Sequence, residues 1–200
     1  SDPANRDALK TDLAAAVVRG VRQASGLPVL VKLTPNMSDV PGQARAVAEA
    51  GADAVTVINT VLGMLIDLRR RRPVMARGSA GLSGPAIKPI ALHLVYQVAS
   101  VVDIPIIGCG GISTPQDALE FLMAGAPAVQ VGTANFVDPQ TSLRIVDGIA
   151  AFLEGAGHQA VAEIGGCAHP SRALREPFES LRTAPQATAL APPAAGNPHK

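Results

Sequence analysis

Four runs of the chain are apolar with little or no alternation: "PVLVKL" (28–33), "AVTVIN" (54–59), "IPIIGC" (104–109) and "AVQVG" (128–132). A strand wet on one face alternates apolar and polar residues; a strand covered on both faces does not. The four runs therefore predict buried, parallel strands. Between them the apolar period lengthens to that of a helix. The spacing predicts helices over 42–50, ended by Gly51, and over 85–101, opened by Pro85. A third is predicted over 115–124. There Thr114 is placed to cap, Pro115 takes the first helical position, Asp117 lies in the first turn and Gly125 closes the end. The phrases "AEAGADAV" (48–55) and "LMAGAPAV" (122–129) repeat one grammar of helix end, glycine cap and next strand. Alternating strands and helices with buried strands mean an α/β fold, either a doubly wound sheet or a (β/α)8 barrel. Four strands do not close such a barrel. A full one takes roughly 250 residues, and this sequence has 200, so the pattern reads as about half a barrel with a tail.

Composition narrows the function classes. Apolar residues make up 48% and charged residues 16%, which suits one globular core built from Val, Ile, Leu and Ala, because aromatic residues are only 2%. A net charge of +1 gives no global reason to expect nucleic acid or an anionic membrane. The most apolar window, 90–112, is broken by His93, Gln97, Asp103 and Pro105, so no membrane span is expected. The N-terminus, "SDPANRDALK", is polar and lacks a signal-peptide core. Cys109 and Cys167 form neither a disulfide framework nor a metal-binding pair, which fits a reducing, cytoplasmic setting. From Ala184 to Lys200, ten of seventeen residues are Ala or Pro, so residues 184–200 are expected to be a disordered tail behind a folded region of 1–183.

In barrels of this kind the chemistry gathers where strands end. The first run ends at Lys32 and "LTPN", the second at Ile58-Asn59-Thr60, the third at Gly110-Gly111 and the fourth at Gly132-Thr133. Two successive strands that end in glycine and open toward a helix suit a phosphate, because backbone N–H groups can then approach the anion. The plainer reading is a pair of tight turns. Lys32 needs a partner or a polar site. Either it reaches the rim or it faces an anion at the mouth. Asn59 and Thr60 supply an amide and a hydroxyl, fit for a planar polar ligand and equally at home in a turn. The connection over 60–84 is long and, with "GSAGLSGP" (78–85), pliable; loops of this length are usually functional or disordered. Within it Arg69–Arg72 reads as a solvated loop, against the alternative of a nucleic-acid or targeting patch.

Five stretches taken together, "VKLTPN" (31–36), "INTVLGMLIDL" (58–68), "GLSGPAIKPIAL" (81–92), "IPIIGCGGIST" (104–114) and "AVQVGTANF" (128–136), resemble dihydroorotate dehydrogenase over roughly residues 28–150. The likeness is greatest to the class 1 branch that passes electrons to NAD. The resemblance implies a TIM (β/α)8 barrel, of which this chain would be the C-terminal half, about strands five to eight. It implies FMN at the mouth and oxidation of dihydroorotate to orotate in pyrimidine synthesis. It also implies an FAD and iron-sulfur partner subunit, and a homo-oligomer when complete. Carried over by position, Lys32 would contact the flavin ring, Ile58 would pack on it and Gly84 would lie against it in a mobile loop. Gly110, Gly111, Gly132 and Thr133 would hold the FMN phosphate, and Asn59 and Thr60 the orotate.

One part of that pattern is expected to lie elsewhere. The family's proton-accepting cysteine sits in a "CPN" loop, which would fall upstream of Ser1. Neither cysteine here replaces it by motif: Cys109 is expected to be a small core residue, and Cys167, in "EIGGCAHP", to serve packing. Two other functions stay in view. One is a flavoenzyme like the pyrimidine-reducing domain of dihydropyrimidine dehydrogenase, which "INTVLGMLIDL" fits less well. The other is a remnant that keeps the fold without turnover.

Overall fold

The computed structural model describes residues 3–169. The expected tail over 184–200 lies outside them.

All four apolar runs become strands, and all four join one sheet. They are β1 (Leu30–Leu33), β2 (Ala54–Val57), β7 (Ile106–Cys109) and β8 (Ala128–Gln130), in the spatial order β1-β2-β7-β8. Every pairing is parallel, with Lys32 level with Thr56 and Cys109 level with Gln130. Val55, Val57 and Ile106 are fully buried, as strands covered on both faces require. The helices follow the expected grammar: α2 (Val40–Glu49), α3 (Lys88–Ala99, after a 3-10 turn Pro85–Ile87) and α4 (Pro115–Met123). The predicted cap of α4 forms. The Thr114 hydroxyl accepts from Asp117 N at 3.1 Å, and the Asp117 carboxylate accepts from Thr114 N at 2.9 Å. Phe121 on α4 is the largest fully buried side chain, and it fits because Gly108 has no Cβ; one would stand 2.5 Å from the ring.

Sequence reasoning assigned no element to three regions that the structure orders. Helix α1 (Pro3–Ala24) packs on α2 through small residues, Ala15 and Val18. Its end is latched by Arg22, which donates to the carbonyls of Leu27 and Gly51 and pairs with Asp53. Burial opposes the Asp53 charge, but the Val29 N–H and Arg22 outweigh it and hold the carboxyl below its ordinary range. Helices α5 (Ala134–Val137) and α6 (Thr141–Ala156) follow β8, and α6 packs on α4.

The third region corrects an expectation. Residues 60–84 are not an unstructured loop. They form an arm of two small antiparallel pairs: β3 (Val61–Gly63) with β6 (Ala80–Leu82) at the root, and β4 (Ile66–Asp67) with β5 (Arg72–Pro73) toward the tip. Asn36 fixes the root. Its Nδ2 donates to the Thr60 carbonyl and its Oδ1 accepts from Leu62 N, both at 2.9 Å. Cys167 is exposed, so the packing role expected for it is not what the structure shows. The buried neighbour in that segment is His169, stacked on Tyr96 with ring centroids 3.8 Å apart. Among the described residues no helix is long and apolar enough to cross a membrane.

Candidate functional site

In a parallel sheet every strand ends on the same side, so the four strand ends meet by construction. They enclose a cavity of about 180 Å³ lined by Lys32, Ile58, Asn59, Thr60, Gly84, Gly110, Gly111, Gly132 and Thr133, among others. Every residue singled out from the sequence as a site residue lines this one cavity. The peptide joining Val57 to Ile58 is cis.

The β7 side of the cavity is tightly built. Gly110 and Gly111 have φ of 137° and 75°, a region that favours glycine. Their missing Cβ atoms serve packing as well as conformation. A Cβ on Gly111 would lie 2.6 Å from the Lys88 backbone nitrogen, and one on Gly110 would lie 2.8 Å from Ala91 Cβ. The glycine pair therefore lets the start of α3 close on the β7 turn. Lys88 then locks the contact: its ammonium lies 2.8 Å from Asp117 Oδ1 and 3.0 Å from Glu120. Asp117 Oδ2 accepts from Ser113 N, Ser113 Oγ and Thr114 N at 2.9–3.0 Å. Burial works against the Asp117 charge, yet Lys88 and these donors hold its carboxyl far below the usual range. The same two carboxylates raise the Lys88 ammonium, Asp117 the more strongly.

Gly132 differs. Nothing lies within 4 Å of where its Cβ would stand, so that backbone faces open space. Thr133, next to it, donates through Oγ1 to Ser83 Oγ at 2.8 Å and ties the end of β8 to the loop before Gly84. Among the described residues, the backbone N–H groups of Gly111, Ile112, Thr133 and Ala134 donate to no protein acceptor. That set of free donors at one cavity suits an oxyanion.

The β1 side is open. Lys32 is exposed, and its ammonium lies 3.5 Å from Cys109 Sγ. No carboxylate pairs with it among the described residues. The contact corrects the expectation for Cys109, which is half-buried at the cavity wall rather than in the core. Lys32 and Cys109 sit on β1 and β7, two strands apart, so their side chains meet across β2. No spacing signal along the chain announces such a contact. Ile58 is buried beneath the site at 1% exposure, whereas Asn59 is exposed and its Oδ1 accepts from Thr60 N. A wider groove of about 470 Å³ adjoins the cavity beside Thr133. Its cation, Arg144, is already paired with Asp138 at 2.5 Å, so the unpaired positive charge belongs to the first cavity.

Residues 4–153 match the family description of dihydroorotate dehydrogenase. The chain belongs to the dihydroorotate dehydrogenase family. Three curated relatives carry the name "Dihydroorotate dehydrogenase B (NAD(+)), catalytic subunit". The protein from Halalkalibacterium halodurans is 51% identical over 155 residues, which is 78% of this chain and 51% of the relative. The Geobacillus kaustophilus protein is 53% identical over 149 residues, 74% of this chain and 48% of the relative. The Porphyromonas gingivalis protein is 54% identical over 153 residues, 76% of this chain and 50% of the relative. The chain thus spans about half the length of the relatives it matches. A dihydroorotate dehydrogenase family segment of that extent accounts for four parallel strands with one shared mouth.

Proposed function

We propose that this chain is the C-terminal half, about strands five to eight, of an FMN-binding TIM barrel that oxidises dihydroorotate to orotate in pyrimidine synthesis. The observation that carries the reading is the convergence of two glycine-ended strands and an unpaired lysine on one cavity. Barrels commonly seat phosphate after their last two strands, and here the glycine ends fall on the last two strands of the sheet, β7 and β8. The fit supports FMN in two respects. Free backbone N–H groups stand at 111–112 and 133–134, and a Cβ-free surface at Gly132 leaves room beside them.

Within that reading Gly111, Gly132 and Thr133 hold the phosphate, with Gly110 and Gly84 shaping the wall. When bound, FMN supplies the hydride acceptor. Lys32 places a positive charge against the ring and favours its anionic reduced form. Ile58 gives an apolar floor, and Asn59 and Thr60 orient the pyrimidine by hydrogen bonds. Dehydrogenation of a C–C bond also releases a proton, which needs a base. The base is assigned to a cysteine in the part of the relatives' length that this chain does not span. An FAD and iron-sulfur partner subunit would take the electrons on to NAD, in the cytoplasm, and the complete enzyme would be a homo-oligomer.

The test is the visible spectrum of the purified chain with FMN added, read with its elution volume. A flavin band that co-elutes with the protein is the expected result, and dihydroorotate bleaches it once a segment bearing the base is supplied. A colourless protein that leaves all FMN in the small-molecule fraction overturns the reading.

A further inference from the structure

Cys109 has no part in the proposed reaction, and its side chain is not core. It is half-buried at the cavity wall, with its Sγ 3.5 Å from the Lys32 ammonium. The two residues lie toward the ends of β7 and β1, which are tied into one sheet through β2, so the backbones hold the pair close. The lysine side chain can close the remaining gap. It ends a flexible stem, and no carboxylate pairs with it among the described residues. Two ordinary uses of such a thiol do not apply. No cluster of three or more His, Cys, Asp or Glu that could hold a metal forms among the described residues. A disulfide would need Cys167, the other cysteine of the sequence. Cys167 sits past the end of α4, where Gly166 N and Ala168 N donate to the carbonyls of Leu122 and Met123, and it does not line the cavity.

We propose that Lys32 and Cys109 are a site of reversible oxidative modification, in which hydrogen peroxide joins Nζ to Sγ by an N–S bond. The chemistry takes two steps. The Cys109 thiolate attacks one oxygen of the peroxide, the O–O bond breaks, and the other oxygen leaves as water with the proton the thiol gave up. Cys109 is then a sulfenic acid, and the peroxide has been reduced. The Lys32 amine, having released its extra proton to water, attacks the sulfur. The N–S bond forms, the S–O bond breaks, and the hydroxyl leaves as a second water with one hydrogen of the amine. Sulfenic acids condense in this way with thiols and with backbone nitrogen; here the neighbouring nucleophile is a side-chain nitrogen. Oxidant-sensing cysteines are accessible and stand beside the group that resolves them, and Cys109 meets both conditions. Excess thiol reopens the bond by attack at the sulfur, which frees the lysine and leaves a mixed disulfide that a second thiol reduces. While the bond is closed the Lys32 nitrogen is no longer an ammonium, so oxidant removes the cavity's cation and reductant returns it.

The bond does not depend on the functional reading, and it is tested on this chain without flavin. The chain is treated with hydrogen peroxide, its remaining thiols are alkylated, and tryptic peptides are mapped by mass. The expected result is loss of the cut after Lys32 and a single peptide joining the Lys32 and Cys109 segments, short of two hydrogens. Dithiothreitol before digestion restores the cut. Cys167→Ser keeps the link. Cys109→Ser and Lys32→Arg abolish it, and Lys32→Arg leaves a sulfenic acid at Cys109 for dimedone to trap. The proposal is overturned by a cut after Lys32 that survives oxidation, by a disulfide between Cys109 and Cys167, by a link that persists in dithiothreitol, or by equal dimedone capture in the parent and in Lys32→Arg. FMN retention is scored separately on untreated chain. A chain that links but never holds FMN removes the functional reading alone, and one that holds FMN but never links removes this proposal alone.

Discussion

The two sides of the cavity are made on opposite plans. At the β7 end, conformation, packing and charge all fix the backbone: glycines at positive φ, the α3 backbone against the space a Cβ would need, and Lys88 clasping Asp117 and Glu120. At the β1 end, Lys32 is exposed, and among the described residues its ammonium meets a thiol and no carboxylate. One side is complete without a ligand; the other keeps an uncompensated charge. This is the division expected of a site that pre-forms an anion seat and leaves a cation for the part of the ligand whose charge changes. It also means that the two glycine-ended strands, alike in sequence, answer to different demands. Gly111 is a requirement of the fold, whereas no neighbour within 4 Å requires Gly132, whose role under the proposed function is to leave room for what enters the cavity.

The largest break is at Gly111. Gly111→Val puts a branched side chain at φ 75° and into the Lys88 backbone. A loss of about 3–5 kcal/mol is expected, read as a fall in the urea midpoint; a midpoint within error of the parent would defeat the packing account of this glycine. Next is the clasp itself. Asp117→Asn leaves Lys88 with only the half-exposed Glu120 and should cost about 2 kcal/mol. Its pH signature has a definite sign. The folded carboxyl titrates below its unfolded value, so its stabilisation is present above the ordinary carboxylate pKa near 4 and is lost as pH falls below it. The parent should therefore lose stability between about pH 5 and 2 more steeply than the Asp117→Asn variant. Parallel curves would show that Lys88 does not depend on this partner.

These outcomes also mark what the sequence made legible. Strands with no polar alternation announced a parallel sheet, and Thr114-Pro115-Asp117 announced a capped helix, because both are local patterns with one physical cause. The cavity followed, since strand ends of a parallel sheet cannot help meeting. What stayed hidden was contact between distant segments. Cys109 read as core because it ends an apolar run, but its side chain turns to Lys32 from two strands away. Lys88 drew no reading from the sequence, because its partners lie 29 and 32 residues later. The arm read as a loop because strands of two and three residues leave no period to detect.

Gly132 sharpens the contrast with Gly111. A Cβ there meets nothing within 4 Å, and the backbone is not in the left-handed region. Gly132→Val is expected to leave the urea midpoint within about 0.5 kcal/mol of the parent. In the same protein FMN affinity should drop about 30-fold or more, about 2 kcal/mol, because the side chain occupies the seat. A variant that unfolds early, or one that stays fully yellow, would make the two glycines equivalent and erase the distinction drawn between the strands.

The smallest and most informative effect is expected at Lys32. Its ammonium is exposed and unpaired by carboxylate, so Lys32→Met removes no ion pair and should leave stability unchanged within about 0.5 kcal/mol. If the charge serves the oxidised flavin, FMN affinity falls and the reduced form is affected equally. If it serves the reduced, anionic ring, affinity for oxidised FMN falls only a few-fold, while the midpoint potential drops. A loss of about 1 kcal/mol on the two-electron couple is about 20 mV. Photoreduction against a reference dye reads that shift without substrate and without the missing base. A potential unmoved by Lys32→Met, with FMN still bound, would place the unpaired cation against some other anion and leave the open side of the cavity without its proposed purpose.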